Sequence, residues 1–329
     1  MQEMFEQGYH KIFEKGSLDF EALALDIFQY QRKNNAVYGA YVEALGVDPS
    51  RVERLEAIPF LPIRFFKTHA VKTGDFEPEV VFESSGTTGM VNSRHLVKDL
   101  SLYKESFTRA FDLFYGPVSD YCILGLLPSY LERGNSSLVL MVDELIRRSG
   151  HAQSGFYLDE YAKLAGLLKE LEARQQKTLL IGVSFALLDF AEQYRFPLKH
   201  TIIMETGGMK GRRKELIRAE LHAILQQAFS VNNIHSEYGM TELLSQAYSK
   251  GAGIYHCPPW MKVLLRDDED PLHVLRSGAG IVNVIDLANI HSCSFIATDD
   301  AGKVYEDGSF EVLGRVDGSD MRGCSLLVV

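Results

Sequence analysis

Six of the eight residues in Phe82-Glu-Ser-Ser-Gly-Thr-Thr-Gly89 are Ser, Gly or Thr, a composition able to hold an anion. Glycine lets backbone N–H groups approach negative charge closely, and the hydroxyls add donors. No GK[ST] sequence occurs in it, so it is not the phosphate loop of a P-loop NTPase. Read alone, the stretch also fits an ordinary loop after the apolar Val80-Val81. A second segment, Ser236-Glu-Tyr-Gly-Met-Thr-Glu242, follows the strand-like Val231-Asn-Asn-Ile234 and precedes an apolar stretch read as helical. This places Thr241 and Glu242 at the carboxyl end of a strand, where ligands gather in open α/β sheets. Alone, Glu242 reads more often as a solvated acid at a helix start. The third and fourth segments are Ile296-Ala-Thr-Asp-Asp-Ala-Gly302 and Leu313-Gly-Arg-Val-Asp317. Adjacent acids before glycine are also what a plain turn uses.

The elements around these segments divide the 329 residues into three stretches. Residues 1–80 are mostly helical: FEALALDIFQYQRKNNAVYGAYVEALG carries apolar residues at i, i+3, i+4 and i+7, as one amphipathic helix or a broken pair closed by Gly46. Pro59 and Pro62 make the following IPFLPIRFFKTH extended rather than helical. Residues 81–250 alternate. Apolar runs at 121–127, 178–183 and 200–204 read as strands, and helices are expected at 137–148, 158–175, 184–195 and 211–228. Asn135 and Ser136 can cap the first of these, Arg147 and Arg148 sit in its last turn, and Gly150 follows its end. Strands alternating with helices imply a parallel sheet covered on its faces. Residues 251–329 are β-rich, with strands near 263–266, 281–285 and 294–297 and a hairpin turning at Glu306-Asp-Gly-Ser309. The fold class is therefore α/β, with partly parallel sheets flanked by helices and a small C-terminal β subdomain.

Composition excludes several functions. A formal net charge of −10 argues against a nucleic-acid partner, which selects for a basic excess. No apolar run approaches the roughly 18 residues of a membrane span. The N-terminus lacks the apolar centre of a signal peptide, so a cytoplasmic location is expected. Cys122, Cys257, Cys293 and Cys324 are scattered without a CxxC pair, so neither disulfides nor a zinc cage is expected.

Taken in order, SSGTTG, YGMTE, TDDAG and GRVD resemble the motifs of the adenylate-forming superfamily. IPFLPIRFFK, METGGMKGRRKEL, CPPWMKV and RGCSLLV narrow the resemblance, over nearly the whole chain, to the acyl-protein synthetases of bacterial luminescence. Two departures stand out. Asp299 occupies the glycine of the family's T-G-D, and GRVD is followed by GSDMRG, one residue shorter than the usual spacing. The resemblance implies ATP-dependent activation of a carboxylic acid, in this branch a fatty acid, and transfer to a protein thiol. CoA as acceptor, as in phenylacetate-type ligases, and a non-catalytic nucleotide- or acyl-binding component are the alternatives. By position, it implies that Ser84, Ser85, Gly86, Thr87, Thr88 and Gly89 cradle the ATP phosphates, and that Gly207 and Gly208 pass close to adenine. Tyr238 would lie on the adenine face, Thr241 would bond the α-phosphate, and Glu242 would hold Mg²⁺. Asp300 would accept from the ribose hydroxyls, Arg315 would reach ribose or phosphate, and Cys324 would carry the acyl group. The family's lid lysine lies beyond GRVD, and this chain ends twelve residues after Asp317. Either Lys67 or Lys210 substitutes, a partner completes the site, or the chain is an inactive relative.

Overall fold

The computed structural model describes residues 12–13, 19–84, 91–127, 135–158, 160–207 and 216–316. The elements begin with helices α1 (Phe20–Asn34) and α2 (Ala36–Ala44), strand β1 (Leu61–Pro62), short helix α3 (Phe65–Thr68), strands β2 (Val80–Glu83) and β3 (Arg94–Val97), and helix α4 (Leu100–Tyr115). They continue with β4 (Cys122–Leu126), α5 (Ser137–Ser149), β5 (Gly155–Phe156), α6 (Tyr161–Ala173), β6 (Thr178–Gly182), α7 (Ser184–Gln193), β7 (Thr201–Glu205) and α8 (Arg218–Phe229). The rest is β: β8 (His235–Tyr238), β9 (Ala247–Ser249), β10 (Tyr255–His256), β11 (Met261–Arg266), β12 (Val274–Leu275), β13 (Gly278–Asp286), β14 (Phe295–Val304) and β15 (Phe310–Arg315).

The chain folds into two compact units, each assembled from separate stretches of sequence. Unit 1 comprises residues 1–110, 240–246 and 256–312; unit 2 comprises 111–239, 247–255 and 313–329. In unit 1, β11, β13 and β14 pair antiparallel, with β12 on the outer side of β11 and β1 running parallel to β14. Of the proline-broken IPFLPIRFFKTH stretch only Leu61–Pro62 is strand, with Pro62 opposite Ala297 and Ile63 N donating to the Ala297 carbonyl at 2.9 Å, whereas Phe65–Thr68, expected to be extended, is the short helix α3 past the second proline. The N-terminal helical pattern is a pair broken at Asn35. Its side chain caps α2 by accepting from Tyr38 N at 3.0 Å and donates to Ser292 O at 2.9 Å.

In unit 2 the strands run in the order β5, β4, β6, β7, β8, β9, parallel except for the β8–β9 pair. Leu124, Leu179, Leu180 and Ile181 are buried, as expected of a parallel sheet covered on both faces by its crossover helices. Helix α5 begins where Ser136 accepts from Val139 N and ends at left-handed Gly150, with Arg147 and Arg148 in its last turn.

Two local expectations fail near the second motif. The strand is β8, not 231–234; Ser230 closes α8 in the left-handed region with φ 52°, and the Asn232–Asn233 stretch turns the chain. The residues after Glu242 form a turn and then β9 instead of a helix, because their backbone N–H groups bond elsewhere, as described below.

Leu180→Ala, which empties a side chain with 0% exposure, is expected to lower stability by about 2–5 kcal/mol. Urea denaturation checks this; an unchanged midpoint would contradict the packing described for β6.

Candidate active site

Unit 1 holds Ser84, Thr241, Glu242 and Asp300, and unit 2 holds Gly207, Tyr238 and Arg315. Ser85, Gly86, Thr87, Thr88, Gly89, Gly208 and Cys324 lie outside the described residues, as do Lys210 and Asp317.

In unit 1, β2 and β3 form an antiparallel pair whose open end carries the Ser/Thr/Gly segment. Ser84 and Ser93 close its neck: Ser84 N donates to Ser93 O at 3.0 Å, and Ser93 N donates to Ser84 Oγ at 2.9 Å. The Ser84 hydroxyl oxygen is therefore engaged by its own hairpin. Opposite Phe82 on β3 stands His95, which is 1% exposed. Its Nδ1 lies 2.8 Å from Thr241 O. A carbonyl only accepts, so Nδ1 carries the proton. Burial draws the imidazole below its usual pKa, against the opposing effects of the Thr241 carbonyl, the Glu242 charge and Asn289. The ring is accordingly a neutral donor that ties the hairpin to the Thr-Glu segment.

The same segment is held from its other side by the end of β13 and the turn that follows. Asp286 Oδ2 accepts from Leu244 N at 2.8 Å and Ser245 N at 3.0 Å. Its Oδ1 accepts from Ser245 Oγ at 2.5 Å and Ala288 N at 3.1 Å. Asn289 Nδ2 donates to Glu242 O at 2.7 Å. These bonds replace the i→i+4 ladder that a helix would need, which is why none forms. Burial pushes the Asp286 carboxyl up to about 6, while its four donors pull the other way. Glu242 is 0% exposed, so it is not a solvated helix-start acid. Trp260 is fixed in this core. Its Nε1 donates to Ser106 Oγ at 3.0 Å, which lies 3.1 Å from Ser245 Oγ.

In unit 2 the glycine turn rests on a residue that motif reading overlooked. Glu205, the last residue of β7, is 2% exposed. Its Oε2 accepts from Gly207 N at 2.7 Å, and Gly207 O accepts from Ser184 N at 2.9 Å. Gly207 has φ 74°, a conformation glycine adopts without penalty. Burial works to raise the Glu205 carboxyl, but His222, Arg218 and Ser236 outweigh it and hold it down to about 2. Arg218 lies 3.4 Å from Glu205 and stacks over the Tyr255 ring at 5.3 Å, and Tyr255 meets Tyr238 edge-on at 5.9 Å. The glycine turn and Tyr238 are thus held by one chain of contacts. Arg315 is half-buried at the end of β15. The available signal for Glu205 was a lone acid closing the apolar run TIIME.

The donor set fits a nucleotide with its metal. A buried carboxylate next to a threonine suits Mg²⁺, which takes one or two carboxylates and completes its shell with water and phosphate oxygens. Among the described residues no group of three or more His, Cys, Asp or Glu forms a metal cage of its own.

Glu237, beside these motifs on β8, is pushed up to about 8, first by burial and then by the Glu205 charge. The folded state keeps a proton that the unfolded chain releases above 4.5, so stability falls as pH rises from 4.5 to about 8. Asp286 acts in the same direction up to about 6. Glu205 acts oppositely, its contribution being lost as pH falls from 4.5 towards about 2. Glu237→Gln is expected to flatten the decline in urea stability between about pH 7 and pH 8. An unaltered slope in the variant would contradict a buried, protonated Glu237.

The acyl-protein synthetase family, LuxE, matches this chain over residues 10–329. The long-chain-fatty-acid–luciferin-component ligase of Vibrio harveyi is 24% identical over 323 residues, 91% of this chain and 84% of that protein. The ligase of the same name from Aliivibrio fischeri is 23% identical, over 93% of this chain and 86% of its own. Among solved structures, an open conformation of 2-hydroxyisobutyryl-CoA ligase superposes with a TM-score of 0.65 at 13% identity, over 90% of this chain and 74% of that one. The ATP-bound RpMatB-BxBclM chimera B1 gives 0.54 at 18% identity over 73% of this chain, which spans 49% of the chimera's length. The fold is that of the adenylate-forming enzymes. No helix among the described residues is long and apolar enough to cross a membrane. With the motifs, the fold and the match over residues 10–329 in agreement, the chain belongs to the LuxE acyl-protein synthetase family.

Proposed function

We propose that the protein uses ATP and Mg²⁺ to convert a long-chain fatty acid to its acyl-adenylate, then passes the acyl group through Cys324 to the thiol of a partner protein in the cytoplasm. As a member of its family it is a ligase that activates a carboxylic acid and transfers the acyl group. The observation that carries the finer reading is the Thr241–Glu242 segment, held by His95, Asp286 and Asn289 with Glu242 wholly buried. The names of the Vibrio harveyi and Aliivibrio fischeri ligases support a fatty acid, and the ATP-bound chimera supports the nucleotide.

The chemistry asks the protein to bring two anions together. Two like unit charges about 4 Å apart repel by roughly 4 kcal/mol at an effective dielectric of about 20. Mg²⁺ held at Glu242 supplies positive charge between them when bound. Thr241 donates its hydroxyl to the α-phosphate, and the Ser84–Gly89 N–H and hydroxyl groups take the outer phosphates. Such donors are most effective where charge builds up in the transition state. By the family resemblance, Gly207 passes close to adenine and Tyr238 lies on its face, Asp300 accepts from the ribose hydroxyls, and Arg315 reaches ribose or phosphate. The carboxylate oxygen attacks the α-phosphorus, the bond to pyrophosphate breaks, and the product is a mixed anhydride open to thiol attack.

The role given to Cys324 is the one the family resemblance implies. Burial pushes the Cys122 thiol up to about 11 and the Cys257 and Cys293 thiols up to about 12, so these three are poor nucleophiles near neutral pH.

ATP–pyrophosphate exchange driven by long-chain fatty acids tests the first half-reaction. Glu242→Gln is expected to lower the exchange rate by roughly 10²–10³-fold. No exchange by the wild-type protein with any carboxylic acid would overturn the proposal. For the second half-reaction, Cys324→Ser is expected to abolish the hydroxylamine-sensitive acyl label while leaving exchange intact. A label that persists in that variant would remove the role given to Cys324.

A further inference from the structure

The departure from T-G-D at Asp299 coincides with an irregularity in the sheet of unit 1. Along β13 and β14, Asn283 lies opposite Ala297 and Ile281 opposite Ala301. One residue of β13, Val282, therefore faces three of β14: Thr298, Asp299 and Asp300. This is an enlarged β-bulge, the kind of device that re-aims a side chain. A bulge leaves ladder groups unmatched, and here the Arg266 side chain from the end of β11 takes them up. Its Nη1 donates to Val282 O at 3.2 Å and to Asn283 Oδ1 at 2.8 Å, and its Nη2 donates to Thr298 O at 2.5 Å. Thr298 completes the knot: its Oγ1 donates to Val282 O at 2.8 Å and accepts from Asp300 N at 3.1 Å. One guanidinium thus joins three strands around the backbone that carries Asp300.

We infer that Arg266 is a positioning residue for Asp300 and that Asp299, in place of the glycine, is its counter-charge. The inference rests on reading Asp300 as the acid that takes the ribose hydroxyls. A guanidinium drawn in from water needs compensation. Burial lowers its pKa and Arg64 adds like charge, while Asp299 and, more weakly, Asp300 supply opposing charge. A glycine at 299 supplies no such charge. The fork also matters: a lysine keeps the charge but cannot span three acceptors from one planar group.

The readout is discrimination at the ribose, measured by calorimetric titration with Mg-ATP and Mg-2′,3′-dideoxy-ATP. Charge-assisted hydrogen bonds to the hydroxyls set the expected wild-type preference for ATP at roughly 10–100-fold. Arg266→Ala is expected to bring this preference close to unity while affinity for the dideoxy nucleotide changes little. Asp299→Gly and Arg266→Lys are expected to fall in between, and both remain informative if Arg266→Ala does not fold. A general loss of structure would weaken both nucleotides alike. Asp300→Ala separates the two levels of the claim. If that variant keeps the full preference, the ribose reading fails and the inference fails with it. If Asp300→Ala erases the preference while folded Arg266→Ala, Arg266→Lys and Asp299→Gly all retain it, the positioning role is overturned and the ribose reading stands.

Discussion

Unit 1 is organised around one buried carboxylate. Asp286 accepts four hydrogen bonds, three of them from a segment forty-odd residues earlier in the chain. Without those bonds Leu244 and Ser245 would carry orphaned backbone donors in the interior, which costs as much as a lost hydrogen bond each. With them, Thr241 and Glu242 acquire a fixed conformation that is neither helix nor strand. His95 and Asn289 then fasten the carbonyls of those same two residues. The segment donates to Asp286 and accepts from His95 and Asn289, so it cannot shift along its axis without breaking bonds of both kinds.

Unit 2 solves a similar problem with the opposite electrostatics. Glu205 is as buried as Asp286, yet it stays ionised because Arg218 and His222 stand beside it. Among the described residues Asp286 has donors but no cation partner, and its carboxyl rises where that of Glu205 falls. One buried acid is stabilised by dipoles and the other by charge. The second arrangement is the more sensitive to losing a partner, since it would leave an uncompensated ion in the interior.

The fold class, most of the parallel strands and the capped helix α5 were legible because their causes are local: apolar period, caps and breakers. The broken helix pair was legible as an alternative, and Asn35 decided it through a bond to Ser292, far away in sequence. The same distance explains the failures. Residues after Glu242 read as helix because the pull of Asp286 on their N–H groups leaves no trace in a short window. Of the candidate site, the four motifs were legible as an ordered set. The side chains that hold them, His95, Asp286, Asn289, Glu205 and Arg266, were not, since each is a single polar residue in an otherwise apolar or unremarkable run. The interleaving of the two units likewise depends on contacts between remote stretches and has no compositional marker.

That interleaving bears on how the protein is made. Strands β4 to β8 and their helices lie between residues 122 and 238, so the parallel sheet of unit 2 can assemble on the nascent chain soon after they emerge. Thr241 and Glu242 leave the ribosome next, but Asp286 and Asn289 are not yet made. During that interval the motif lacks the partners that fix it, and the Thr241–Glu242 segment is among the last parts of unit 1 to take shape.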